Sequence, residues 1–96
     1  MAALSSEAIH RELGGMPGWS YRGNEIHKAF TFESFLPGIE FVNKIAQAAE
    51  KAEHHPDIMI NYNVVSISLS THSEGGVTEK DIDLAKQIDR IHSASS

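Results

Sequence analysis

The middle of the chain has apolar residues that recur three and four positions apart, the spacing of one face of an α-helix. Ser34 is placed to cap this long helix, and Pro56 ends the pattern because proline cannot continue a helix. The stripe predicted to face the core consists of Phe35, Ile39, Val42, Ala46, Ala49 and Ala52.

Two further helices are predicted near the ends of the chain. The first covers residues 7–13, with Ser5 or Ser6 as its N-cap and two glycines after it. The last begins at residues 78–81, Thr-Glu-Lys-Asp, which resemble a capping box with Asp in place of Glu. Its predicted buried stripe is Ile82, Ala85, Ile88 and Ile91.

The remaining segments alternate apolar and polar residues, the period of a β-strand with one buried face. Residues 26–32 alternate in this way and are predicted to pair back onto residues 19–21. After Pro56, one predicted face carries Ile58, Ile60 and Tyr62, and a turn at Asn63 leads into a second strand. In that strand Val65, Ile67 and Leu69 alternate with Ser66, Ser68 and Ser70.

The order of elements is therefore helix, hairpin, long helix, hairpin, helix. Antiparallel hairpins with helices on one face predict an α+β domain, although the pattern leaves open how the two hairpins are arranged in the sheet. A length of 96 residues fits one domain, 1–96, and 41% apolar residues can form a small core. Residues 93–96, Ser-Ala-Ser-Ser, are predicted to be a frayed tail.

Composition excludes several classes of function. The chain has no cysteine, which removes disulfides, thiolate nucleophiles and cysteine zinc sites. Its net charge of -5, with scattered basic residues, argues against direct nucleic-acid binding. No apolar run is long enough to span a membrane, and residues 1–13 lack a signal-peptide pattern, so we expect a cytoplasmic protein, with the nucleus also open.

The end of the long helix concentrates titratable groups. Their spacing places Glu50, Glu53 and His54 on one helical face, with His55 at the helix exit before the proline. A neighbouring carboxylate favours a protonated imidazole, and histidine with its reference pKa of ~6.5 exchanges protons near neutral pH. His72, at the end of the last strand, is a third candidate. The alternative is structural: a helix cap, a turn residue and a surface residue.

Two kinds of chemistry fit three histidines. Zinc would accept imidazoles and a carboxylate, but adjacent helical residues point ~100° apart and the sequence has no His-x-x-x-His spacing, so the metal interpretation is weak. Metal-free acid–base catalysis needs only one imidazole that gives a proton and another that accepts one. No serine is placed as an activated nucleophile, so covalent catalysis has no support.

These residues resemble the signature of the pterin-4a-carbinolamine dehydratases. The resemblance rests on Glu50-x-x-x-His54-His55-Pro56, then on Tyr62, His72 and Asp81 at the family spacing, and it extends over roughly residues 18–89. It implies a four-stranded antiparallel sheet with three helices on one face, in the order α-β-β-α-β-β-α. It also implies dehydration of 4a-hydroxytetrahydrobiopterin to quinonoid dihydropterin, in the recycling of tetrahydrobiopterin.

The reaction implied by the resemblance suggests a role for each residue. His54, held by Glu50 or Glu53, is expected to donate a proton to the 4a-hydroxyl group, with His72 as its counterpart; the two roles are interchangeable. His55 completes the catalytic set as an orienting residue. The predicted substrate contacts are Glu50, Glu53, Ser70, Thr71 and Asp81, and Asp81 has an equal claim as a helix cap.

The resemblance also bears on cofactors and partners. It implies a pterin substrate, no bound metal or cofactor, and a homodimer or homotetramer. Some animal members of the family also bind a homeodomain transcription factor, a partnership that the motif does not decide for this chain. A non-catalytic dimerisation cofactor on the same fold is therefore the alternative to the enzyme.

Overall fold

The computed structural model describes residues 2–95 and contains the predicted order of helices and strands. The helices are α1 (Ser6–Leu13), α2 (Phe35–Ala52) and α3 (Glu79–Ser95), and the strands are β1 (Ser20–Arg22), β2 (Glu25–Thr31), β3 (Asp57–Asn61) and β4 (Val64–Leu69). A single 3₁₀ turn, His72–Glu74, lies between β4 and α3. The α-β-β-α-β-β-α order is thus confirmed.

The four strands form one antiparallel sheet in the order β1-β2-β4-β3. Both predicted hairpins are present, and they join through β2 and β4, with Phe30 opposite Val65. Ile58 lies opposite Ile67 in the outer pair. The prediction that Tyr62 shares a strand face with Ile58 is wrong, because Tyr62 lies in the tight β3–β4 turn with φ of 52°.

One face of the sheet is covered by helices and the other is open. Ile26 and Phe30 of β2 are buried together with the alternate residues Val65, Ile67 and Leu69 of β4. The serines between them are only half-buried, because they point to the uncovered face. This is the α+β architecture predicted from the alternation, with the apolar period of two setting which face the helices cover.

The buried stripe of α2 differs from the prediction. Its buried residues are Gly38, Phe41, Ile45 and Ala49. Of the residues in the predicted stripe, only Ala49 is buried; Phe35 is 46% exposed, and Ala46 and Ala52 are exposed as well. This face packs against the sheet because Gly38 has no side chain there: a Cβ atom at this position would lie only 3.3 Å from Cγ2 of Val65.

Helix α3 follows its prediction at the N-terminus and departs from it at the C-terminus. Ile82, Ala85 and Ile88 are buried, as expected. The helix continues to Ser95, so the prediction of a frayed tail is wrong for residues 93–95, while Ser96 lies outside the described residues.

Candidate active site

Helix α2 ends three residues before His55, and this changes the geometry of the predicted cluster. The last helical residue is Ala52, and Glu53 takes a left-handed conformation with φ of 52° and ψ of 41°. The His54 N–H group then donates to the Ala49 carbonyl at 3.1 Å, which closes the helix end. The prediction that Glu50, Glu53 and His54 share one helical face is therefore wrong.

The left-handed residue redirects the chain so that His54 turns toward the core. Its Nε2 atom lies 2.5 Å from Oδ1 of Asp81, a carboxylate in the first turn of α3. The His54 side chain is 11% exposed, and that of Asp81 is fully buried. The expected partners of His54, Glu50 and Glu53, are thus replaced by Asp81, which lies 27 residues further along the chain.

Asp81 receives three donors. Besides His54, the Thr71 hydroxyl donates to Oδ2 at 2.8 Å, and the Thr78 backbone N–H donates to the same oxygen at 2.9 Å. The Thr78 hydroxyl accepts from the backbone N–H of Lys80 at 3.2 Å, which completes the predicted capping box. A buried carboxylate needs such donors, because an unpaired buried charge is strongly destabilising.

This network determines the proton arrangement on the His54 ring. An ionised carboxylate accepts hydrogen bonds and cannot donate them, so Nε2 of His54 must carry the proton that points to Asp81. Nδ1 is then the nitrogen left for exchange with another molecule. When the ring is protonated at both nitrogens, the same contact becomes a charge-assisted hydrogen bond. His54 can therefore gain or lose a proton at Nδ1 without losing Asp81.

Two of the predicted substrate contacts are used inside the protein. Both oxygens of Asp81 accept internal donors and its side chain is fully buried, so direct contact with a substrate is not supported. The Thr71 hydroxyl donates its proton to Asp81, and the Thr71 N–H donates to the Gly76 carbonyl at 2.8 Å. The structural role given to Asp81 as a helix cap is confirmed.

His55 and Glu50 form a separate pair at the protein surface. Nε2 of His55 lies 3.3 Å from Oε1 of Glu50, and the two side chains are 63% and 80% exposed. An ion pair at such exposure contributes little to stability, because water competes for both partners. Both groups are open to a ligand. Glu53 is exposed too, and its backbone forms the helix cap.

His72 and Ser70 line an open cavity of about 290 Å³ beside the β1–β2 turn. Its lining residues are Gly23, Asn24, Glu25, Ser70, His72, Gly75 and Gly76. His72 was predicted to end the last strand, but β4 ends at Leu69, and His72 instead begins the 3₁₀ turn and is exposed. His54 is absent from this lining, and the two histidines are linked instead through Asp81 and Thr71, the residue before His72.

One local signal for the partner of His54 is present in the sequence, in the capping box at the start of α3. Asp81 was recognised as the third helical residue of a capping box, which fixes its backbone position but leaves one carboxylate oxygen free. Thr78, a residue not predicted to belong to the site, donates through its hydroxyl to Thr71 at 2.8 Å. Because the hydroxyl of Thr71 points its own proton at Asp81, Thr78 must be the donor of that contact.

Within residues 2–95, no three His, Cys, Asp or Glu side chains are grouped as ligands of one metal ion. None of the helices in the described part of the chain has the length and apolar character needed to cross a bilayer.

Comparison with known proteins gives consistent results along nearly the full chain. The sequence profile of the family described as Pterin 4 alpha carbinolamine dehydratase matches residues 2–91. A relative from Roseiflexus castenholzii is 53% identical over 92 residues, covering 95% of this chain and 99% of its own. One from Sulfolobus acidocaldarius is 51% identical over 88 residues, covering 92% and 97%. Both carry the provisional name pterin-4-alpha-carbinolamine dehydratase.

A solved structure agrees with these sequence comparisons. The crystal structure of a protein from Brucella melitensis, described as a transcriptional coactivator/pterin dehydratase, superposes with a TM-score of 0.89 at 35% identity. The match covers 93% of this chain and 97% of that one.

Proposed function

Because the chain belongs to the pterin-4a-carbinolamine dehydratase family, we propose that it removes water from 4a-hydroxytetrahydrobiopterin to give the quinonoid dihydropterin. The observation that carries this proposal is the His54 ring, held through Nε2 by the buried Asp81 carboxylate so that Nδ1 is left for proton transfer. Histidine suits such a step because its charge changes near neutral pH.

The proposed reaction needs two proton transfers. A protonated His54 donates from Nδ1 to the 4a-hydroxyl group, the C4a–oxygen bond breaks, and water leaves. A base removes the proton of the adjacent ring nitrogen, and the electrons of that N–H bond form the new C=N bond. After donation, His54 is neutral with its proton on Nε2, the form that its contact with Asp81 favours.

His54 is proposed as the acid because, in its doubly protonated form, Nε2 donates a charge-assisted hydrogen bond to the buried carboxylate and the Nδ1 proton is left for the substrate. His72, exposed in an open cavity, is proposed as the base. Ser70 lines the same cavity and is proposed to hydrogen-bond the edge of the pterin ring. The exposed pair of His55 and Glu50 is proposed to orient the substrate, and the exposed Glu53 is proposed to contact it as well.

The test is the rate of carbinolamine dehydration, followed spectrally, for the wild type and for His54→Ala and His72→Ala. Each variant is expected to lose ~10²-fold or more in kcat, the scale of a general acid–base contribution. His10→Ala is the matched control, because His10 is an exposed histidine of α1, and it should retain the wild-type rate. A wild type no faster than buffer would refute the enzymatic function; full rates in both variants would refute the assignment of the residues.

We also propose a second copy of this chain as a partner. β3 is an edge strand, since the sheet order places it beside β4 alone. Large apolar side chains are exposed on this strand and its turn, with Met59 at 69%, Ile60 at 39% and Tyr62 at 65%. An exposed apolar edge strand offers unpaired backbone groups for antiparallel pairing. Homo-oligomer formation through β3 satisfies these groups.

A second candidate function is a dimerisation cofactor of a transcription factor. One observation favours it: the similar Brucella melitensis protein is described as a transcriptional coactivator as well as a pterin dehydratase. The two functions are separated by the histidine variants. Binding of a partner protein that persists in His54→Ala and His72→Ala, with no dehydration by the wild type, would favour the cofactor.

A further inference from the structure

We propose that the Thr71 hydroxyl is a positioning group that sets the proton arrangement of His54 by holding the Asp81 carboxylate. The consequence for catalysis rests on the proposed function, whereas the effect on the His54 ring does not. Thr71 touches neither the exposed cavity nor His54 directly, so it acts through Asp81. This role replaces the substrate contact that the sequence suggested for it.

The hydroxyl groups form a chain with one direction. The Thr71 hydroxyl has a single proton, and that proton points to Oδ2 of Asp81 at 2.8 Å. Its oxygen accepts from the Thr78 hydroxyl, also at 2.8 Å. Since the Thr78 N–H reaches the same Oδ2, this oxygen is held by two donors, and Oδ1 is left to His54. The carboxylate plane is thereby fixed relative to the imidazole ring.

Thr71 is itself held firmly enough to serve this purpose. It is 8% exposed, and its backbone forms an isolated bridge with Gly76. Its N–H donates to the Gly76 carbonyl at 2.8 Å, and its carbonyl accepts from the Glu74 N–H at 2.9 Å. These bonds close the loop that begins with His72. The backbone of Thr71 therefore carries the His72 loop, while its side chain reaches the partner of His54.

Replacing Thr71 by valine keeps the shape and removes the hydroxyl group. Oδ2 of Asp81 then loses one of its two donors, and the Thr78 hydroxyl loses its acceptor in a buried site. The Thr78 N–H is then the one remaining donor to Oδ2 among those described above, so the carboxylate is held less firmly opposite His54. The backbone bridge to Gly76 is unaffected, so His72 should keep its environment. Serine in place of Thr71 retains the hydroxyl and should restore the wild-type arrangement.

The first measurement is ¹⁵N NMR of the histidine rings at alkaline pH, where neutral imidazoles reveal which nitrogen is protonated. Wild-type His54 is expected to carry its proton on Nε2. Thr71→Val should move His54 toward a mixture of both tautomers without moving the His72 signals, and Thr71→Ser should resemble the wild type. Thr31→Val is the matched control, because Thr31 is an exposed threonine at the end of β2.

The second measurement is kcat and KM for dehydration in the same four proteins. Thr71→Val is expected to lower kcat by about tenfold with little change in KM, the order of one hydrogen bond to a charged group. Thr71→Ser should stay close to the wild type. A larger KM with unchanged kcat would mean that Thr71 binds substrate, and this would overturn the proposal.

The outcomes separate this inference from the proposed function. If the wild type does not dehydrate the substrate, the enzymatic function fails, and the His54 tautomer still tests the positioning role. If the neutral His54 ring of the wild type carries its proton on Nδ1, the proposal is overturned. This test needs no variant, so it remains decisive even if Thr71→Val does not fold. An unchanged tautomer and kcat in a folded Thr71→Val protein would overturn it as well.

Discussion

The replacement of Asp81 by asparagine tests the centre of the proposed site, because it keeps the shape of the side chain and removes its charge. An asparagine offers one oxygen and one NH₂ group in place of two acceptors. The oxygen is needed by Thr71 and the Thr78 N–H, the two donors that share Oδ2 in the wild type. The NH₂ group is then directed at His54, which must accept at Nε2 and carry its proton on Nδ1.

The size of the effect on stability can be worked from these contacts. Two retained hydrogen bonds change from charge-assisted to neutral, with a loss of about 1 kcal/mol each. The contact with His54 is reversed rather than lost, so the free energy of unfolding should fall by about 2 kcal/mol in total. For a domain of this length, that corresponds to a fall in Tm of roughly 10 °C.

The effect on catalysis should be larger than the effect on folding. With its proton on Nδ1 and an NH₂ group in place of the carboxylate, His54 is in the wrong tautomer and lacks the partner that accepts from Nε2 of its doubly protonated ring. A drop of ~10² to 10⁴ in kcat is expected, by analogy with the loss of an orienting aspartate in other histidine sites. The assays are urea unfolding for stability and spectral dehydration kinetics for activity.

Asp83→Asn is the matched control for this experiment. Asp83 lies on the same helix, two residues from Asp81, and is exposed, so its change should leave both stability and rate near the wild type. The reasoning would be refuted by an Asp81→Asn protein that retains the full dehydration rate. It would also be refuted if the ¹⁵N signals of its His54 showed a proton on Nε2.

The two remaining predictions concern the end of α2 and the sheet edge. Glu53→Gly should raise the free energy of unfolding by about 0.5–1 kcal/mol, because glycine takes a positive φ without strain; Lys51→Gly, inside the helix, should lower it by about 1 kcal/mol. If urea unfolding showed that both substitutions change the free energy of unfolding in the same direction, the left-handed conformation of Glu53 would be contradicted. Wild type should sediment as an oligomer and Met59→Lys as a smaller species, with Ala29→Lys on the inner strand unchanged; a monomeric wild type would refute the proposed pairing through β3.

The sequence by itself determined the order and type of the helices and strands. The strands were predictable because a period of two assigns Ile67 and Leu69 to one face and Ser66 and Ser68 to the other, whatever the sheet order. The start of α3 was predictable because a capping box is a local motif whose partners lie three residues apart. Both features depend on neighbours in the chain.

The buried face of α2 was decided by tertiary structure. This helix carries two interleaved sets of apolar residues with the same spacing, one through Ile39 and Val42 and one through Phe41 and Ile45. Periodicity is satisfied by either set, so it does not choose between them. The choice depends on which side of the helix allows close contact with Val65, and glycine at position 38 allows it.

The candidate site, too, has features that could be predicted from the sequence and a contact that only the folded structure decides. The sequence identified His54, His55, His72 and Asp81 as the residues to consider, because titratable side chains at a helix stop and a strand end are visible locally. It did not identify the partner of His54, because a left-handed residue at Glu53 turns the chain out of the helix and toward α3. Contacts between residues 27 positions apart depend on how α2 and α3 pack, and only the folded chain brings those two ends together.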